Sequence, residues 1–318
     1  MSLFRSVRAV ASASGDGVVD WDAVTEAAKI STDPGSLDLA PEERNGYARD
    51  VRDARERVQT VSGTTFDLPR TVEIQNRHHW IDANVETFRQ VMAPLEDQTG
   101  VFPGAARVIN TGTMSLALGF LARNVMGQYD PLLLADGDEH GLYFVHPNIL
   151  RAARELDVEY ERFRRWIAFH EVTHAGEFGA APWLSDHLET QMQRGIDDLA
   201  DGRFDRAAFN ELNTAMTVVE GYAELLMDQA FDDEYADLRR KLDERRSGGG
   251  PVTRVIRRML GLGLKRRQYE RGRAFFETVA EKRGVGAAGE VWDDPPNLPT
   301  DEELDDPLQW IRRVDPGR

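Results

Sequence analysis

Residues 160–178 read YERFRRWIAFHEVTHAGEF, in which Phe163, Trp166 and Ile167 lead into His170, Glu171, Val172, Thr173 and His174. The apolar spacing predicts an amphipathic helix, on which histidines four positions apart share one face. Both imidazoles can then reach a single zinc ion, with Glu171 beside the open coordination position. Zinc lowers the pKa of its water toward neutrality and Glu171 can accept the proton, which is the chemistry of amide-bond hydrolysis. A pattern this short also arises by accident, and the plain alternative is a helix with two half-buried polar histidines. Gly176 and Gly179, just beyond the motif, are expected to let the chain turn away from the helix.

Catalytic zinc keeps three protein ligands and one open position, so a third ligand is required. A His six residues after His174 is missing, because position 180 is Ala, and position 194, about where a Glu could follow, is Arg. The segment TVVEGYAELLMDQ, residues 217–229, is otherwise apolar and carries Glu220 and Glu224 four apart on one helical face. Two carboxylates on a buried face require a positive partner, and a zinc ion is a sufficient one. Glu220 is therefore assigned as third ligand, a gluzincin-like set, and Glu224 as a carboxylate that orients a ligand imidazole. Gly221 would allow a close approach of two helices. Asp228 and His187 are substitutes for Glu220, and Arg162 or Arg165 could instead pair with the two glutamates.

Outward from these motifs the pattern is mainly α-helical with short connections. Helices are predicted over residues 19–30, 41–61 and 80–92, with a break at residues 67–69. Residues 105–126 are small, apolar and poor in charge, which predicts a helix buried on most sides. The apolar runs 131–134 and 142–145, separated by ADGDEHG, predict a small β-hairpin next to the motif helix. His140, Tyr143 and His146 on that hairpin could line a cleft, whereas His78 and His79 read as surface or packing residues. The tail DDPPNLP, residues 293–299, cannot be regular helix. The expected organisation is an N-terminal extension, residues 1–18, and one domain, residues 19–318, with an optional helical subdomain at 19–100.

Composition narrows the chemistry. The 318 residues include no cysteine, which removes disulfides, thiolate metal sites and Cys nucleophiles. No run of about 18 apolar residues occurs and Arg5 and Arg8 interrupt the N-terminal apolar stretch, so the expected location is the cytoplasm. Net charge is −16 and only four residues are Lys, which fits either a halophilic protein in a salt-rich cytoplasm or GC-rich codon usage. Residues 239–273 run against this balance, with 13 Lys or Arg and three acids. The segment lacks the interleaved aromatics of a single-strand binder, so nucleic acid is not the expected partner and pairing with the protein's own acidic surface is.

The stretches HEVTHAGEF, APWLSDHL and VVEGYAELLMD, with VDW, GQYDPLLL, KRRQYERGRAFFETV and LPTDEELDDPLQWIRRV, give a further lead. In combination they resemble a family of zincin-like HExxH proteins named for an association with coenzyme F-420 (deazaflavin) biosynthesis. The resemblance runs over about residues 19–314. It implies a mainly helical zincin-like fold, the HExxH helix at its centre and a downstream Glu as third ligand; it does not supply a substrate. At Gly176 and Glu177 this chain departs from the family's larger apolar residue and Gln, a change expected at the floor of the cleft. The resulting expectation is a zinc-dependent metallopeptidase or related amide hydrolase acting on a peptide or protein, with one zinc ion per chain. The alternative is a catalytically silent zincin-fold binding or regulatory protein.

Overall fold

The computed structural model describes residues 6, 9–11, 17–93, 103–130, 140–200, 202–203, 205–231, 235–247 and 265–315. In chain order the elements begin with α1 (Trp21–Ser31), α2 (Pro41–Ser62), β1 (Thr71–Gln75), α3 (Arg77–Met92) and α4 (Pro103–Asn124). Then follow β2 (Gly127–Asp130), β3 (Gly141–Val145), α5 (His146–Glu155), α6 (Tyr160–Ala180) and α7 (Leu184–Ala200). The last are α8 (Arg206–Ala230), α9 (Ala236–Ser247), α10 (Lys265–Arg283), α11 (Val285–Ala288), α12 (Asp301–Asp305) and α13 (Pro307–Val314). The fold is mainly α with one small sheet, and no helix among the described residues is long and apolar enough to cross a membrane.

The chain forms two compact units, both discontinuous in sequence. The first comprises Met1–Asp38, Thr71–Arg151 and Met192–Asp205. Its sheet has the order β1-β3-β2, with β3 parallel to β1 and antiparallel to β2. Leu142 and Phe144 are fully buried while Tyr143, between them, is half-buried and faces Glu73 and Gln128 across the ladders. Val145 is fully buried as well, so β3 is covered along most of its length and Tyr143 is its one half-exposed side chain. β3 has an antiparallel partner, β2, which precedes the expected run; the run 131–134 lies outside the described residues. The parallel strand β1 was not anticipated, because TVEIQ is short and directly abuts the helix start at Asn76, whose side chain accepts from the His79 N–H.

Helices α1, α3 and α4 surround a core of Val24, Ala28, Trp80, Ile81, Leu118 and Ala122 together with Val145. Trp80 Nε1 donates to Gln128 Oε1 at 2.7 Å, and Gln128 Nε2 to Asn84 Oδ1 at 3.0 Å, which ties sheet to helix. Helix α4 departs from the expected burial: Ile109 is 67% and Leu116 71% exposed, because a helix poor in charge on every side gives no signal of which side the core takes. His78 Nε2 meets the carbonyls of Lys29 and Thr32 at the end of α1, a packing role. Described residues of the N-terminal extension pack here too, with Ala9 buried and Ser6 Oγ donating to the Ala27 carbonyl.

The second unit comprises Leu39–Arg70, Ala152–Gln191 and Arg206–Arg318. It therefore takes α2 out of the helical group 19–100 suggested by sequence order. Helix α6 is packed against α2 and α8, and α8 against α10. Between α2 and α6 the buried Arg164 bonds Asp50 at 2.6 Å, with its guanidinium 5.3 Å from the ring centroids of both Tyr47 and Tyr160. Gly46 makes room for it, since a Cβ there would meet the guanidinium. The motif helix does not end at Gly176 or Gly179 but continues to Ala180. A Cβ on either glycine would come within about 3 Å of Phe66, so these glycines seat an aromatic side chain on the helix rather than turn the chain. On the far side, Gly221 of α8 and Gly272 of α10 meet backbone to backbone, the close approach read from Gly221.

Candidate metal centre

Helix α6 buries thirteen of its residues, among them Glu171, Thr173 and Glu177. Helix α8 likewise buries Thr217, Glu220 and Glu224 among Val218, Val219, Tyr222, Ala223 and Leu225. Where the two helices pack, His170 Nε2 and His174 Nε2 lie 3.3 Å apart. Glu220 Oε2 is 3.9 Å from each of them. The three side chains each offer one ligand atom, all within 4.8 Å of one another.

This triangle fits a metal ion. Ligands about 2.1 Å from a tetrahedral centre are separated by about 3.4 Å, close to the 3.3 and 3.9 Å separations found. Charge points the same way. His174 Nδ1 lies 2.7 Å from Glu177 Oε2, and a carboxylate there accepts a hydrogen bond from Nδ1–H, the tautomer that turns the Nε2 lone pair toward the triangle. Burial disfavours a charged His174, yet Glu177, Glu220 and Glu171 outweigh it and raise the imidazole's pKa above its ordinary value. That excess of negative charge in a buried site calls for a cation between the groups, either a proton on the imidazole or a metal ion in its place.

Glu177 was not singled out by sequence reasoning as a partner of the site. The signal was available: it is three residues after His174 on the same helix, within side-chain reach. It also stands at one of the two positions where the chain departs from the resembling family. Replacing Glu177 by Ala is expected to weaken metal binding about 10- to 100-fold, the usual loss when a carboxylate behind a ligand imidazole is removed. Chelator competition on the purified variant measures it; wild-type affinity would show that His174 needs no such support.

The other candidates fall elsewhere. Glu224 accepts from Arg239 Nη2 at 2.5 Å, and Asp228 pairs with Arg239 and, at 3.3 Å, with Arg273. Two arginines at the ends of the basic segment 239–273 thus meet acids of the site helix, while residues 248–264 lie outside the described residues. Arg162 pairs with Asp237 and Arg165 with Asp53, rather than with Glu220 or Glu224. His187 is edge-on to Trp183, with ring centroids 6.0 Å apart, and burial lowers its pKa. Neither His187 nor Asp228 joins the converging triad. His140, Tyr143 and His146 belong to the first unit, with His140 against Tyr129 and His146 opening α5.

An HExxH helix whose two imidazoles face a carboxylate on a second buried helix defines the zincin class of metal site. The chain belongs to the zincin-like metallopeptidase family, whose profile matches residues 19–203 and 193–311. It is also similar to a crystal structure from Chloroflexus aurantiacus described as that of a proposed hydrolase with a novel fold. The two share 31% sequence identity over 93% of this chain and 99% of that one, with a TM-score of 0.78. No curated protein matches the chain. Membership of the family implies a metal cofactor.

Proposed function

We propose that the protein is a zinc-dependent metallopeptidase or closely related amide hydrolase. His170, His174 and Glu220 hold one zinc ion, Glu177 fixes the ring of His174, and Glu171 is the general base. When bound, zinc acidifies a water molecule and polarises the amide carbonyl. Glu171 lies next to His170 in sequence, is 6% exposed and is not one of the three converging ligand groups, the place a general base for the metal-bound water needs. It takes the proton of the attacking water and returns it to the departing amine. The single observation that supports the reading is the convergence of three ligand atoms from two helices, His170 and His174 on one and Glu220 on the other.

Metal analysis by mass spectrometry tests it, on wild type beside His170→Ala and Glu220→Ala prepared without chelators. Near-stoichiometric zinc in the wild type is expected, with little in either variant. Zinc retained in full by Glu220→Ala would remove that residue from the site, and a wild type that takes up no metal would turn the reading toward a silent binding protein.

A further inference from the structure

Along α6 three aromatic rings lie parallel. The planes of Phe163 and Trp166 differ by 3° with centroids 6.5 Å apart, and those of Trp166 and His170 by 5° with centroids 5.8 Å apart. Their spacing of three and then four residues brings each ring over the next along one side of the helix. Trp166 is 8% exposed, and His170 has a second ring neighbour in His174, edge-on at 76° with centroids 4.6 Å apart. The imidazole of His170 is therefore bounded by an indole face and by the second imidazole.

A histidine's terminal torsion is broad, so the direction of Nε2 is set by what surrounds the ring. His174 has a carboxylate on Nδ1 to hold it. We propose that Trp166 is a positioning residue for His170, holding its ring by stacking in the orientation that points Nε2 at the metal. The role rests on the reading of His170 as a ligand, and it assigns a task to a side chain that sequence reasoning took only as one of the apolar positions defining the helix. It also accounts for the parallel planes: a tryptophan that merely filled volume could meet the imidazole at any angle, and an aliphatic side chain would serve as well.

Wild type, Trp166→Phe and Trp166→Leu, all metal-free, are titrated with Zn²⁺ against a chromophoric chelator, and their histidine rings are followed by NMR after selective ¹³C labelling. The Phe variant keeps an aromatic face and is expected to bind within about twofold of wild type, whereas the Leu variant binds roughly three- to tenfold more weakly, the size of an aromatic stacking contribution. The carbon-bound His170 protons are expected to move in the Leu variant as the indole ring current is lost. Equal zinc affinity in all three proteins overturns the role of Trp166 alone, even if the Leu variant melts earlier. No zinc binding by wild type overturns this inference together with the metal-site reading. Should the Leu variant not fold, the metal-free wild type decides: ring-current-displaced His170 protons support the stack, and undisplaced ones refute it.

Discussion

Glu171→Gln is expected to lower turnover by about 10²- to 10⁴-fold while leaving the metal bound, because a positioned general base contributes about that much. The amide keeps the size and the hydrogen-bonding shape of the carboxylate but cannot accept the water's proton at neutral pH. Glu171 is not one of the three converging ligand groups, so its loss does not remove a donor to the metal. Its charge does act on His174, so a modest change in metal affinity accompanies the change. The measurement is a paired one: zinc content and peptide hydrolysis on the same preparations, with a cleavable substrate first found for the wild type. Full activity in a zinc-loaded Glu171→Gln protein would sink the assignment of the base, whereas loss of zinc would move Glu171 into the coordination set.

Gly272→Ala is expected to destabilise the second unit by more than about 3 kcal/mol, at the upper end of what overpacking produces. A Cβ at Gly272 would overlap the Thr217 carbonyl oxygen, and one at Gly221 would overlap the Gly272 backbone. Side-chain tips can swing aside, but backbone cannot, so α8 and α10 must part to admit the methyl group. Thr217 stands one turn before Glu220, and the displacement therefore reaches the carboxylate that faces the two imidazoles. Reduced zinc affinity should accompany the lower unfolding midpoint. The opposite sign is expected at Gly195, inside α7, where a Cβ would meet nothing within 4 Å. There Gly→Ala removes backbone freedom from the unfolded chain and stabilises by up to about 1 kcal/mol. Urea denaturation of both variants gives the comparison, and a wild-type midpoint for Gly272→Ala would show that the two helices are not locked at this crossing.

Much of this was readable beforehand. The helical period alone set His170 and His174 on one face, and the expense of burying carboxylates marked Glu220 and Glu224 as residues that need a positive partner. Less legible were features without a local signature. β1 is five residues long and half polar, too short for its alternation to stand out. Helix α4 gave no clue to the side exposing Ile109 and Leu116, since its polar residues are not gathered on one face. Gly176 and Gly179 looked like a helix end, because glycine is common there, but Phe66, more than a hundred positions away in sequence, occupies the space they leave.

The sequence by itself determined the candidate donors: two imidazoles and a base spaced by the helix repeat, and a downstream pair of acids on an apolar helix, in a chain without cysteine to offer a thiolate. Only the tertiary structure decided how those acids divide. Glu220 and Glu224 are equivalent by helical spacing, yet α8 crosses α6 so that Glu220 meets His170 and His174, while Glu224 reaches Arg239. The same packing turns Glu177 inward onto His174. Local periodicity fixes which side chains share a face; where along that face a partner arrives depends on the crossing point of two helices, here of α8 on α6.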